Sequence, residues 1–336
     1  MAKYREALTP SRAKDAPTAA ALQVEILLKP RAKLTPLSPQ SPTMRALAQL
    51  VEYRRRLVGD QVRRTHRLTS ALKNSCPHVL RWFQDKDIAL FCDVLSRWPT
   101  LKAAQRARRT TLESFFRAPH GHAADVIPTR IEAIQSAVAL TTDDGVITPN
   151  ALLVHALVAQ LRVPLQVMAD CDNAIAPRAQ EHPDFALFEA LPGAGAVFAP
   201  RLLVACGDQR ERDASAEARH KYAGMAPVTE RSGKPSWGHW RLPGPQFLRQ
   251  TFVEGATAST RPAFWAQVYY QQQRAQGKAH QAAVRALAFP WIRILSRCWQ
   301  DRTPYDESGY LQALNRSSAP LLYTLAHEAC KGLNIP

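Results

Sequence analysis

The sequence is short of paired cysteines, of glycine and of acid, and each shortage excludes something. Its six cysteines (Cys76, Cys92, Cys171, Cys206, Cys298, Cys330) never form a C-x-x-C pair and lie scattered through apolar runs, which excludes a cysteine-rich zinc module and a disulfide framework. They read as reduced structural thiols in a reducing cytoplasm. Fourteen glycines stand against 25 prolines, and none completes a Walker loop or a G-x-S-x-G elbow; H-E-x-x-H is also absent. The start Met1-Ala2-Lys3-Tyr4-Arg5-Glu6 has no apolar h-region, and the longest apolar stretch, Ala196 to Cys206, is interrupted by Pro200 and Arg201. Neither secretion nor membrane insertion is expected.

What is present is arginine. The 336 residues carry 44 Lys plus Arg against 28 Asp plus Glu, a formal charge of +16, and 33 of the basic residues are Arg. Its planar fork pairs bidentately with phosphate oxygens. From Ser41 to His120, 16 basic residues face 6 acidic ones, so +10 of the total sits in that stretch. Such a stripe reads either as a nucleic-acid interface or as a solvated helix face. The length fits two or three domains, and 46% apolar content suffices for real cores.

Residues 1–40 hold one apolar run, Gln23 to Leu28, followed by Pro30, Pro36 and Pro39, and one element cannot make a domain. With Thr43 as N-cap, the residues Met44, Leu47, Leu50, Val51, Leu57, Val58, Val62, Leu68 and Leu72 recur at three-or-four spacing and predict an amphipathic helix about 45 Å long. Its polar face carries Arg54, Arg55, Arg56, Arg63 and Arg64, the residues expected to meet nucleic acid. Pro77 and Pro99 punctuate two further helical stretches, and Asn150 to about Ala176 predicts a second long helix antiparallel to the first. The pair reads as a coiled-coil-like hairpin or as a dimer arm through residues 44–72. No alternating run is long enough for a sheet, so the fold class is mainly α. His120-Gly121-His122 near Asp125 reads as a surface loop rather than a metal site.

Farther on, Ala190-Leu191-Pro192-Gly193-Ala194-Gly195 joins two helices. The turn reads as a tight connection, or as a helix-hairpin-helix whose Gly193 and Gly195 let backbone N–H groups approach a phosphate. It is followed in order by Gly207-Asp208, Lys221-Tyr222-Ala223-Gly224-Met225-Ala226-Pro227, Arg231-Ser232-Gly233-Lys234 and Phe247-Leu248-Arg249. This series resembles the C-terminal domain of insertion-sequence transposases of the DEDD-plus-serine type, the IS-one-ten and IS-eleven-eleven group, which are RNA-guided bridge recombinases. The resemblance covers residues 183–300 and extends over 41–180, where that family has a helical, coiled-coil linker.

The resemblance implies four segments: a remnant of an RNase H-like catalytic domain over 1–40, a basic helical linker over 41–182, a serine transposase domain over 183–310 and a tail over 311–336. It makes Ser232 the nucleophile position, with Lys234 and Arg249 to steady a scissile phosphate. Read without it, Ser232 is a loop serine satisfying its own turn. The family binds Mg²⁺ through four acids, the last two falling in a segment that here reads Lys14-Asp15-Ala16-Pro17-Thr18-Ala19-Ala20. Ala16 and Ala19 occupy both ligand positions, and the start at Met1 leaves no room for the upstream pair, so no cofactor is expected in this chain.

Pro164, Pro262 and Pro290 fall inside patterns that otherwise read helical, where an interior proline costs about 3 kcal/mol. With the missing acids, they suggest a truncated, degenerate copy. The expected function is DNA transposition by resemblance, without activity in this chain alone. The alternatives are a non-catalytic nucleic-acid binder or dimerisation partner that interferes with an intact transposase, and an enzyme completed in trans. Expected partners are DNA, a structured guide RNA and a second copy or intact transposase; no membrane is expected.

Overall fold

The apolar spacing from Met44 to Leu72 does build a long helix, and the computed structural model shows what covers it. The structure describes residues 16–28, 38–117, 126–212, 215–231, 236–239 and 244–316. Contacts divide the chain into a short unit, Met1–Ser41, and a main unit, Pro42–Pro336.

In the short unit, helix α1 (Ala16–Leu28) carries Pro17 in its first turn, where a missing N–H costs little. Positions 16 and 19 fall on one helical face, as metal ligands there would need. Methyl groups occupy both.

The main unit is organised around α2 (Pro42–Ser75) and α8 (Asp144–Gln180), whose mutual interface is the largest between any two elements. Pro42 takes the first helical position, so Ser41 rather than Thr43 stands where the N-cap belongs. The two helices run antiparallel: Met44, Leu47 and Val51 share a core with Cys171, Ile175 and Ala179, while Leu68 and Leu72 share one with Val154, Leu157 and Leu161. Of the two alternatives for this seam, the hairpin with the second long helix is the one observed, and the seam is largely filled from within. Val58 and Val62 lie outside it, 38% and 45% exposed. Helix α8 also has the length and composition of a bilayer span, with mean hydropathy 1.5 in its most apolar window, so Ala196–Cys206 is not the chain's most membrane-like segment.

Each end of the hairpin carries its own core. At the far end, α3 (Val79–Trp82), α4 (Ala89–Arg97), α5 (Leu101–Arg106), α6 (Arg109–Arg117) and α7 (Val126–Gln135) close over Phe83, Phe91, Phe116 and Ile131. The two helical stretches expected here are each split in two, and the hairpin supports a second core of its own.

At the near end lie α9 (Phe185–Glu189), α10 (Gly195–Cys206), α11 (Ala216–Tyr222), the strands β1 (Val228–Arg231) and β2 (Ser236–His239), then α12 (Gln246–Ser259), α13 (Phe264–Ala275), α14 (His280–Asp301) and α15 (Glu307–Arg316). They surround Phe188, Leu203, Phe252, Trp265, Ile292 and Trp299. Tyr310, Leu311 and Leu314 of α15 pack on this core, so the domain continues through the start of the segment read as a tail. Burial there pushes the Tyr310 phenol up to about 12. The mainly α reading holds, with one addition: β1 and β2 pair antiparallel, Val228 opposite His239 and Arg231 opposite Ser236. Four-residue strands show too little alternation to be seen in sequence.

Of the three suspect prolines, Pro262 falls between α12 and α13, whereas Pro164 and Pro290 sit inside continuous helices. Pro164 is buried while Gln160, whose carbonyl loses its partner, is exposed, so water can satisfy that oxygen. The five described cysteines are buried and in no disulfide, and burial pushes the Cys92 thiol up to about 11. They serve packing, as expected.

Candidate nucleic-acid site

The glycine-containing turns of the C-terminal domain have separate structural origins. Helix α11 starts on Ser215, whose side chain accepts from the Ala218 amide at 3.1 Å, and ends through Gly224 at φ +69, the left-handed cap that favours glycine. A Cβ at Gly224 would lie 2.7 Å from Nη2 of Arg249. One at Gly244 would lie 3.3 Å from the same atom and 3.2 Å from the Gly224 Cα. Arg249, near the start of α12, is thus threaded past two bare backbones. Arg285, on α14, joins it: burial first, and then the Arg249 charge, lower the Arg285 pKa. Arg285 also lines a groove of about 300 Å³ with Met225, Pro227, Gly238 and Phe289.

The Arg249 guanidinium thus lies close enough to Arg285 to disfavour its charge, at the foot of the β1–β2 ribbon, where Pro227 and Gly238 join the lining. Arg285 was missed in the sequence because it lies in an ordinary helical pattern with no motif around it. Ser232 and Lys234 lie outside the described residues; they belong to the four-residue connection that follows Arg231 at the end of β1 and precedes Ser236 at the start of β2.

Gly193 is not brought to Arg249. Its φ is +77, and a Cβ there would lie 2.5 Å from the Ala258 carbonyl oxygen at the C-terminal end of α12. Arg249 stands nine residues earlier on the same helix, about 13 Å along its axis. Gly195, at φ +49, has open space where its Cβ would be. The α9–α10 turn therefore allows one helix to press on another at Gly193 and leaves Gly195 clear.

The Gly207-Asp208 pair ends α10 and braces the domain. Asp208 Oδ1 lies 3.2 Å from His182 Nε2, and the Asp184 amide donates to His182 Nδ1 at 3.1 Å. Arg210 then reaches Asp184 at 2.5 Å and donates to the Trp299 carbonyl at 2.9 Å.

The basic face of α2 is only partly available. Arg54 makes a two-pronged pair with Asp172 on α8, with Nη2 to Oδ2 at 3.0 Å. Arg55 donates to Glu52 at 2.7 and 2.8 Å and to Gln250 at 2.5 Å, and this holds the Glu52 carboxyl below its usual range. These two tie the arm together and to α12. Arg56 and Arg63 are 68% and 72% exposed and pair only within the helix, with Glu52 and Asp60; Arg64 reaches Asp60 at 3.7 Å.

Ala16 and Ala19 offer no oxygen donor, and among the described residues no three His, Cys, Asp or Glu side chains converge on a point. His120, His122 and Asp125 lie outside the described residues.

The described fold is a mainly helical domain with a groove that holds Arg285 beside Arg249. In comparison with known proteins, residues 186–271 match the model of the Transposase IS116/IS110/IS902 family, the stretch from α9 to α13. The chain is 27% identical over 330 residues to the "Mini-circle putative transposase for IS117" of Streptomyces coelicolor, covering 97% of this chain and 78% of that protein. It is 28% identical over 219 residues to the insertion element IS900 uncharacterized 42 kDa protein of Mycobacterium paratuberculosis, 63% of this chain and 53% of the relative. It is 26% identical over 263 residues to the insertion element IS110 uncharacterized 43.6 kDa protein of Streptomyces coelicolor, 77% of this chain and 64% of the relative. The chain is thus similar, over its C-terminal domain and beyond, to insertion-sequence proteins that include a transposase.

Proposed function

We propose that this chain is an insertion-sequence transposase that holds a DNA phosphate in the groove beside Arg249 and Arg285, with Ser232, in the segment between β1 and β2, as the nucleophile position, and that the chain alone does not cut DNA. The observation that carries the reading is the Arg249–Arg285 juxtaposition. Burial and the Arg249 charge both disfavour the Arg285 cation, a bound anion relieves that cost, and a phosphodiester supplies oxygens that two forks can share. The role of Ser232 rests on its place in the motif; β1 begins at the groove, beside Pro227 and Gly238, and Ser232 follows the other end of that strand in sequence.

Inactivity rests on Ala16 and Ala19. Phosphoryl transfer depends on charge neutralisation that a metal clamp provides, and alanine cannot ligate. The N-terminal segment is the remnant of an RNase H-like domain in this reading, and guide RNA and DNA are its partners. A role as a dimerisation partner through residues 44–72 gains no support, since that seam is filled by α8.

Binding and cleavage of insertion-sequence ends by the purified chain, with Mg²⁺ present, test the reading together. Retention of a labelled end that weakens at least tenfold in Arg249→Gln plus Arg285→Gln, without strand cleavage, is the expected result. Cleavage abolished by Ser232→Ala would overturn the inactivity, and binding indifferent to both arginines would overturn the site.

A further inference from the structure

At the opposite end of the hairpin, α3 and α7 enclose a cleft of about 380 Å³ whose lining includes His78, Arg81, Trp82, Thr129 and Arg130. Arg130 is only 9% exposed. Its guanidinium lies 4.4 Å from the centre of the Phe83 ring and 5.3 Å from that of Phe116, and Nε donates to the Trp82 carbonyl at 3.0 Å. Nη1 is buried without a hydrogen-bond partner, as is Nδ1 of His78 beside it in the lining. Among the described residues no carboxylate pairs with Arg130, and burial alone lowers its pKa.

A buried cation normally has a counter-ion, because the cost of removing a charge from water is recovered only by pairing it. Among the described residues that partner is missing, and the groups around the gap form a polar set: two guanidiniums, an imidazole and the Thr129 hydroxyl. That set suits a tetrahedral oxyanion with several acceptor oxygens. Trp82, half-buried in the same lining, offers a flat face of the kind on which bases stack. A phosphoryl group and an aromatic ring side by side are the two halves of a nucleotide.

We propose that this cleft binds one unpaired nucleotide of a nucleic-acid strand, with its phosphate at Arg130 and Arg81 and its base on Trp82. The inference rests on the reading of the chain as a nucleic-acid-handling transposase but concerns a second site, in a separate core from the groove at Arg249 and Arg285. A duplex keeps its bases stacked inside, so the cleft selects single strands or loops over continuous double helix.

The test uses the full chain and a fluorescein-labelled twelve-nucleotide single strand, read by anisotropy, with the same strand carrying one 4-thiothymidine for crosslinking. Arg81→Gln with Trp82→Leu should weaken single-strand binding at least tenfold and leave duplex binding within about twofold. Arg130→Gln should weaken it further, and circular dichroism separates that loss from misfolding. The crosslink should map to peptides from α3 or α7. Unchanged affinity in the Arg81/Trp82 variant, or crosslinks confined to the near-end domain, would overturn the proposal. Displacement of the strand by inorganic phosphate at comparable affinity would also overturn it, by showing a phosphate site indifferent to the base. Arg249→Gln with Arg285→Gln serves as the control. If it abolishes duplex binding and spares the single strand, the two sites are separate; if it changes nothing, the groove reading fails while the cleft stands.

Discussion

Replacing Gly193 by alanine separates a packing role from a phosphate-binding role at the α9–α10 turn. Two penalties add. Alanine at φ +77 occupies the left-handed region, at a cost of about 1–2 kcal/mol. Its Cβ would sit 2.5 Å from the Ala258 oxygen and 2.7 Å from its carbonyl carbon, both backbone atoms of α12, so the helices must part. Overpacking of that kind costs about 1–3 kcal/mol. The sum, about 2–5 kcal/mol, is a large share of a total stability of about 5–15 kcal/mol. Gly195→Ala is the internal control, because φ is +49 and its Cβ meets nothing within 4 Å; only the backbone penalty applies.

Urea unfolding followed by circular dichroism reads the difference. With a slope of about 3 kcal/mol per molar, the Gly193 variant should unfold about 0.3–1 M below the Gly195 variant. Equal midpoints would refute the packing argument. Equal midpoints together with loss of DNA binding in Gly193→Ala alone would return the glycine to the phosphate.

Two further outcomes follow from burial and charge. Val51 is 2% exposed and Val58 38%, so Val51→Asp should lose several kcal/mol by burying an unpaired charge, on the order of 3 or more, while Val58→Asp stays within about 1; helicity and sedimentation of the two single variants check this, and equal effects would mean the register of α2 is wrong. His220 is buried, stacks on Phe289 and places Nε2 3.1 Å from the Phe289 carbonyl; burial lowers its pKa, Arg293 lowers it further, and the Phe289 and Ala216 backbones and Glu217 oppose the shift. The unfolded chain then binds the proton more readily, so this contribution to stability is complete above about pH 6.5 and is lost as pH falls through the lowered folded value. Substitution by Gln should flatten the stability profile over that window, and an unchanged slope would remove His220 from the account.

The architecture was legible where one period ran long enough. Met44 to Leu72 repeats over eight turns, and a pattern of that length survives local exceptions such as Gln61, which is buried because its amide reaches the Asp87 carbonyl and carboxylate at 3.2 and 3.1 Å. Residues 77–117 resolve into short helices with breaks at 83–88 and 107–108, and two or three turns carry too little periodicity to place a break. Gly224 could be singled out within its motif but not explained, since its role depends on Arg249 arriving from 25 positions away. Arg285 had no signal of any kind: its importance comes from the Arg249 charge beside it, and that neighbourhood exists only in the fold. Arg54 and Arg55 show the converse error, because net charge along a sequence counts arginines without showing which ones the protein pairs with its own carboxylates.

The Arg249–Arg285 pair carries one more consequence. Folding buries the Arg285 guanidinium and brings the Arg249 charge beside it, and both disfavour the Arg285 cation. An anion that binds only the folded state removes both penalties and stabilises the protein by linkage, by about 2.7 kcal/mol when present at one hundred times its dissociation constant. Phosphate or sulfate should therefore raise the thermal midpoint beyond the effect of chloride at equal ionic strength. Arg285→Gln removes the repulsion and the acceptor site together, so the variant should be as stable as the parent or more so in chloride and should respond less to phosphate. A parent that responds equally to chloride and phosphate would show that the groove holds no specific anion. A variant less stable in chloride by more than about 1 kcal/mol, with its phosphate response intact, would show that Arg285 serves the fold and that the anion binds elsewhere.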